Sequence, residues 1–101
     1  MERPAFIEKM ELHDSDFGDQ VRGLSNMLMT DGALPAKTKM LMTLLGEALV
    51  RRDGGVKLVA GVARNVGVTD AEINETIRLA FLIGGLPALA SATNAYPDPA
   101  P

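Results

Sequence analysis

The chain of 101 residues has a net charge of −3 and no cysteine, and its residues are 47% hydrophobic but only 4% aromatic. The length fits one domain, and the lack of cysteine excludes a thiol nucleophile, a disulfide framework and a thiolate metal site. The charge gives no reason to expect nucleic acid as a partner, and the composition favours packed helices over a β-sheet, which prefers aromatic and β-branched residues.

The first part of the chain predicts one helical turn and then a helix. Residues 14–16 (Asp-Ser-Asp) form an N-cap region, because short oxygen side chains accept hydrogen bonds from the free amides of a first turn. Apolar residues recur at the helical period over residues 17–29, and Asp-Gly at 31–32 signals the turn that ends this helix. His13 is the only histidine, so no second ligand exists to complete a metal site with it, and we interpret it as a surface residue.

Residues 35–50 predict the next helix, since proline at position 35 suits a first turn. Its apolar face comprises Leu41, Leu44, Leu45, Ala48 and Leu49. Glu47 lies among these apolar residues, and two interpretations of its carboxylate stay open. It pairs with Arg51 four residues later on the helix surface, or it acts as a general base close to the break that follows.

The break at residues 51–55 is the place where a reactive group would lie, but the sequence puts no obvious reactive group there. Asp53 is the expected N-cap of the helix that follows. Arg51, Arg52 and Lys57 flank the start of that helix, where free amides and the helix dipole both attract negative charge. Two interpretations therefore stay open: Asp53 simply caps the helix, or a small anion binds at Arg51, Arg52 and Lys57, where Asp53 would compete for the same amides.

Three helical segments complete the chain. The first has a small apolar face (Val56, Val59, Ala60 and Ala63) and ends at Gly67, the expected left-handed cap. Thr69 and Glu72 form a capping box that opens the second, with a buried stripe of Ile73, Ile77, Ala80 and Phe81. The glycines at 84–85 end this second helix, and Pro87 begins the last one. Residues 97–101 are expected to form a flexible, proline-rich tail. We expect one domain over residues 1–101 with its core in residues 6–96.

The order of these signals resembles the carboxymuconolactone decarboxylase family, which includes the alkylhydroperoxidase D-like (AhpD-like) proteins. The resemblance rests on residues 34–39 (Leu-Pro-Ala-Lys-Thr-Lys), 67–73 and 84–88 and covers about residues 6–96. It implies an all-α, AhpD-like helical fold of about five to six helices. It also implies a homo-oligomer, commonly a trimer or a hexamer.

The redox branch of that family carries a glutamate, a Cys-x-x-Cys pair and a histidine. The resemblance places the glutamate at Met40, the two cysteines at Arg52 and Gly55, and the histidine at Val59. None of these residues can form a thiolate or relay a proton. The resemblance therefore implies a degenerate family site without alkylhydroperoxidase or thiol–disulfide activity, and we expect no cofactor and no metal.

Three hypotheses about function remain open. The first is a family member without thiol redox chemistry that binds a small carboxylated metabolite or no ligand. The second is an active decarboxylase or lactone-handling enzyme that uses Glu47 as its catalytic residue and Arg51, Arg52 and Lys57 for binding, since arginine forms paired hydrogen bonds with carboxylate. The third is a non-catalytic structural or interaction subunit that partners a related, cysteine-bearing chain.

The expected location is the cytoplasm. No uninterrupted apolar run approaches the roughly 18 residues needed to span a bilayer, and residues 1–4 lead into no apolar segment of signal-peptide length. We therefore expect no membrane partner.

Overall fold

The computed structural model describes residues 5–99. These residues form five α-helices and one short 3-10 helix and contain no strand, which confirms the all-α prediction. The helices are α1 (Ala5–His13), α2 (Ser15–Leu28), α3 (Ala36–Leu49), α4 (Asp53–Asn65) and α5 (Asp70–Ala92), followed by the 3-10 helix Thr93–Ala95.

Contacts within the chain define two compact units, the first ending at Ala36 and the second beginning at Lys37. The first unit contains α1 and α2, and the second contains almost all of α3 and everything that follows. The expectation of a single domain over residues 1–101 stays a prediction, and so does the flexible tail, of which Ala100 and Pro101 lie outside the described residues.

In the first unit, α1 and α2 cross closely. Gly18 is buried, and a Cβ at this position would collide with Cγ and Cα of Glu11, so the close crossing needs glycine there. The Glu11 carboxylate accepts hydrogen bonds from both Nε and Nη2 of Arg22, a bidentate pair between the two helices. Asp14 is the N-cap of α2 and accepts from the amide of Phe17 at 3.2 Å, as the sequence predicts.

The apolar stripe of α2 is largely exposed, which the helical period alone does not reveal. Phe17, Leu24, Met27 and Leu28 each have more than half of their surface exposed. A period of 3.6 residues predicts which side chains share a face, but it does not say what covers that face. An amphipathic helix with an open apolar face is typical of a surface that another molecule covers.

In the second unit, the core consists largely of small side chains. Met40, Leu44 and Ala48 form the buried stripe of α3, and Val56, Ala60 and Ala63 form that of α4. On α5 the buried residues include Ile73, Ile77, Ala80, Ala88 and Ala92. The predicted burial of Phe81 is wrong, because its side chain is 48% exposed.

The capping box at the start of α5 forms as predicted. The Thr69 amide donates to Oε1 of Glu72 at 2.8 Å, and the Glu72 amide donates to Oγ1 of Thr69 at 3.1 Å. The same Oε1 lies 3.0 Å from Nζ of Lys37 on α3. The carboxylate of Glu72 therefore satisfies a free amide of α5 and ties α5 to α3.

Gly85 divides α5 into two helical parts. Its φ of 73° and ψ of −161° are not helical, and only glycine adopts this region without a large steric cost. Pro87 lies at the start of the second part, where its missing N–H costs nothing. The sequence prediction of a helix end at 84–85 and a new helix from Pro87 is thus confirmed.

Arg64 links three helices of the second unit through hydrogen bonds. Its Nη1 donates to the carbonyl oxygen of Ala95 at 2.8 Å, and its Nε donates to Oδ1 of Asp70 at 3.0 Å. One guanidinium therefore joins the last turn of α4, the first turn of α5 and the 3-10 helix.

Residues Asp70–Ala95 contain a stretch with a mean hydropathy of 1.4, so among the described residues this is the one helix long and apolar enough to cross a membrane. This stretch contains no long uninterrupted apolar run, because polar and small residues divide it. Length and composition alone are a weak indication of a membrane span, and this helix is kinked at Gly85.

The capping box predicts a specific loss of stability in acid. Hydrogen bonds from the Thr69 amide and from Lys37 lower the pKa of Glu72 below 4.5. A carboxyl whose pKa is lower in the folded state stabilises the fold above its unfolded pKa, and that contribution disappears as the pH falls through the folded pKa. We expect the free energy of unfolding to fall less between pH 6 and pH 3 in Glu72→Gln than in the wild type. Chemical denaturation at both pH values measures this.

The matched control is Glu75→Gln, which removes an acid of the same helix that takes no part in the capping box. Glu75→Gln should keep the pH dependence of the wild type. Equal pH dependence in all three proteins would refute a stabilising role for the ionised Glu72.

Candidate functional site

The end of α3 and the start of α4 meet at Arg51 and Arg52. The Arg52 amide donates to the carbonyl of Glu47, and the Arg51 amide donates to the carbonyl of Ala48. This pair of bonds is the Schellman pattern of a helix C-terminus, in which one residue has a positive φ. That residue is Arg51, with a φ of 58°, whereas glycine usually holds this position.

Asp53 is not the N-cap of α4, so this prediction is wrong. The N-cap is Arg52, which makes no hydrogen bond from its side chain to the first turn, and Asp53 is the first helical residue. The Schellman pattern moves the start of the helix one residue earlier, because the carbonyl of Arg52 already accepts from the amide of Val56. The first turn of α4 therefore has no side-chain cap.

The carboxylate of Glu47 lies at this first turn. Its Oε1 is 3.4 Å from Nη1 of Arg52, so the predicted pair with Arg51 is wrong. The left-handed turn at Arg51 changes the chain direction and brings the next residue, rather than residue i+4, next to Glu47. The pair is loose and half in solvent, since the Arg52 side chain is 65% exposed and that of Glu47 is 18% exposed.

The second oxygen of Glu47 is buried and has no partner among the described residues. Oε2 accepts no hydrogen bond there, although a carboxylate oxygen buried without a donor is costly. This oxygen lies against Gly55, in the volume that a Cβ at that position would occupy. Gly55 thus provides the space for the Glu47 carboxylate.

The other predicted site residues lie at the surface or in the core. Arg51 is exposed, and Lys57 forms an ion pair with Asp98 of the tail at 3.1 Å. Met40 is buried in the core at 7% exposure, while Val59 is half-buried. Of the predicted positions, the structure therefore brings Glu47, Arg52 and Gly55 together.

This arrangement offers one group for proton transfer, the Glu47 carboxylate, and two groups for anion binding, the side chains of Arg51 and Arg52. A carboxylate oxygen shielded from water can accept a proton, and the protonated carboxyl can then give it, provided that a substrate reaches it. The guanidinium groups of Arg51 and Arg52 can hold a carboxylate. Among residues 5–99, no cluster of His, Asp or Glu side chains is suited to hold a metal ion.

The contact between Glu47 and Gly55 is the feature that the sequence did not predict. The two residues are separated by a helix end and a turn, and no motif or period relates positions eight apart across such a break. The available signal was the apolar environment of Glu47, which indicated that part of its carboxylate would leave water.

Comparison with known proteins supports the resemblance noted from the sequence. A family model described as the carboxymuconolactone decarboxylase family matches residues 15–96, well over half of the chain. No curated protein is significantly similar to this sequence.

A double-mutant cycle tests the contact between Glu47 and Gly55. In the wild type, the new methyl of Gly55→Ala must displace the carboxylate, whereas in a Glu47→Ala background it fills free space. We expect Gly55→Ala to be more favourable in the Glu47→Ala background by about 1 kcal/mol in the free energy of unfolding. Denaturant titration of the four proteins measures this difference.

Gly54→Ala is the control, because a Cβ there meets no other atom among the described residues. It should have the same effect in both backgrounds and stabilise α4 by up to about 1 kcal/mol, the helix preference of alanine over glycine. An equal effect of Gly55→Ala in both backgrounds would show that Glu47 does not occupy this space.

Proposed function

The chain belongs to the carboxymuconolactone decarboxylase family, and on that premise we propose that it works without thiol redox chemistry, as a homo-oligomer that binds a small carboxylated metabolite. The proposed ligand is supported by the arrangement of residues at the start of α4. There the exposed Arg51 and Arg52 directly precede a helix whose first turn has no side-chain cap.

The proposal of thiol-independent function rests on the residues at the family site. The chain has no cysteine, and a thiolate is the group that attacks peroxides and exchanges with disulfides. Arg52 and Gly55 stand where the resemblance places the two cysteines. Neither side chain supplies a nucleophile.

The charges around this site favour a small ligand of low charge. Arginine binds carboxylate through two parallel hydrogen bonds, and a helix N-terminus adds a favourable dipole. However, Glu47 and Asp53 place two carboxylates at the same turn, and Lys57 is paired with Asp98. A ligand with one or two carboxylates can share Arg52 with Glu47, whereas a polyphosphate would meet stronger repulsion.

A second candidate function is decarboxylation or another reaction of a carboxylated lactone. It is favoured by the buried Oε2 of Glu47, which has no hydrogen-bond partner within residues 5–99. When a carboxylate leaves as CO2, the electron pair of the broken bond stays on the substrate, and a proton must then be added. Glu47 in its protonated form would give that proton and be left as a carboxylate, to be protonated again from solvent.

One set of variants separates these two functions. We expect Arg52→Ala to weaken the binding of a carboxylated lactone at least about tenfold, because it removes the paired hydrogen bonds to the ligand. If the protein is an enzyme, Glu47→Gln should lower kcat by about 100-fold or more, because the amide fills the same space but transfers no proton. Calorimetric titration and an assay of lactone consumption measure the two effects.

The control for these variants is Lys9→Ala, which removes an exposed positive charge from α1. It should leave both readouts unchanged. Binding without turnover would support the first function, and turnover that survives Glu47→Gln would exclude Glu47 as the proton donor. If the wild type neither binds nor consumes the lactone, the proposed ligand is wrong. That result would favour the hypothesis of a non-catalytic structural or interaction subunit.

Self-association is supported by the apolar surface that the chain leaves open. Besides the face of α2, the second unit exposes Leu79, Leu82 and Ile83 on one flank of α5 and Leu86 beyond the kink. Leu82 and Leu86 are 76% and 70% exposed. A small domain buries only about two thirds of its surface on folding, so contact with other copies adds the missing apolar burial. We propose that the protein is cytoplasmic, and such an assembly would then also account for the apolar composition of α5.

Leu82→Glu tests the assembly. We expect this variant to have a lower mass than the wild type in light scattering coupled to gel filtration, because a charge in a packed apolar contact is costly. Leu12→Glu places the same charge on α1 at a position that is 84% exposed, and it should keep the wild-type mass. A wild-type protein that runs as a monomer at all concentrations would overturn the proposal.

A further inference from the structure

A groove of about 390 Å³ lies in the second unit, away from the residues proposed for the family site. It is lined by Asn74, Ile77, Arg78, Phe81, Leu89 and Tyr96. None of these residues belongs to the break between α3 and α4, and neither the sequence signals nor the family resemblance points to them.

The walls of the groove come from both parts of α5 and from the segment after it. Asn74, Ile77, Arg78 and Phe81 follow one another at short steps that keep them on one flank of the first part of α5. The turn at Gly85 brings Leu89 of the second part back towards this flank. Tyr96 follows the 3-10 helix, whose last residue is Ala95.

The backbone next to Tyr96 is held in place. The preceding residue, Ala95, is buried at 2% exposure, and its carbonyl oxygen accepts the hydrogen bond from Arg64. Because Arg64 also contacts the first turn of α5 through Asp70, the two walls of the groove are held by the same side chain. The backbone on both sides of the groove is therefore tied to Arg64.

Arg78 is the single charged group that lines the groove. Within residues 5–99, Arg78 takes part in no ion pair, whereas Arg52, Lys57 and Arg64 each do. The remaining wall is mainly apolar, with Ile77 buried and Phe81 and Tyr96 each nearly half exposed. Asn74 adds an amide one helical turn before Arg78.

We propose that this groove binds a small apolar monocarboxylate, with the carboxylate on Arg78 and the hydrocarbon body against Ile77, Phe81 and Leu89. A pocket of this size that combines apolar side chains with a few polar groups is typical of sites for small organic ligands. The planar guanidinium matches a carboxylate through two parallel hydrogen bonds, and the Asn74 amide can donate a third.

The charge of the groove restricts the ligand class further. Arg78 offers one positive charge, which balances one carboxylate. Glu75 lies beside Arg78 and lines an adjoining hollow with Leu79 and Leu82, so a second negative charge on the ligand would be repelled. A dicarboxylate, which Arg51 and Arg52 can accommodate, therefore fits this groove less well than a monoacid.

The fluorescence of Tyr96 reports ligand binding in the groove directly, because it is the only tyrosine and the chain has no tryptophan. Cyclohexanecarboxylate does not absorb where tyrosine is excited, and its neutral isostere is cyclohexanecarboxamide. We expect a saturable change in Tyr96 fluorescence with cyclohexanecarboxylate, with a Kd of about 1 mM for a ligand this small. The amide should bind at least about tenfold more weakly, since it lacks the charge that Arg78 recognises.

Three variants test the assignment. Arg78→Gln should weaken carboxylate binding at least about tenfold and remove the preference over the amide. Glu75→Gln should strengthen it, because a competing negative charge is lost. Arg52→Gln is the matched control and should leave it unchanged, so that failure here and failure of the proposed family site are distinguishable.

Three outcomes would overturn the proposal. The carboxylate and the amide could give the same signal, or Arg78→Gln could bind as the wild type does. The Tyr96 signal could also respond to protein concentration and not to ligand, which would mean that a second copy of the chain covers the groove. Circular dichroism of Arg78→Gln confirms that a loss of binding is not a loss of fold.

Discussion

Each reversal of the second unit depends on one residue with a positive φ. Arg51 separates α3 from α4, Gly67 separates α4 from α5, and Gly85 divides α5, with φ values of 58°, 94° and 73°. At Arg51 and Gly67 the following amide reaches back five residues to a helical carbonyl, so that the helix ends stay satisfied while the chain changes direction. Both proposed ligand sites lie next to such a turn. One contains the Glu47 carboxylate and the other is the groove at Arg78.

The site at the α3–α4 break also shows how a side chain from one helix occupies space left by a glycine in the next. The space beside Gly55 is filled by Glu47 of the preceding helix. The local group is therefore a carboxylate with one shielded oxygen and one oxygen near Arg52. The carboxylate can accept a proton, and Arg52 can pair with a bound anion as well as with Glu47. Thiol–disulfide chemistry, in contrast, needs a thiolate, which this chain does not contain.

The sequence predicted local features well and tertiary ones less well. The capping box at Thr69, the left-handed cap at Gly67 and the break at 84–85 depend on neighbouring residues, and the structure confirms them. The cap at Asp53 and the pair between Glu47 and Arg51 failed for one reason: a non-glycine residue adopted the left-handed conformation, which local propensity does not predict. The exposure of Phe81 and of the α2 stripe could not be predicted either, because periodicity identifies a face but not its partner.

The conformation of Arg51 has a consequence for the stability of this fold. A side chain in the left-handed region costs about 1–2 kcal/mol, which glycine would avoid. Arg51→Gly would preserve the turn and remove this cost, so glycine is the more stable residue at this backbone position. The α3–α4 break therefore holds local backbone strain that a single substitution would release.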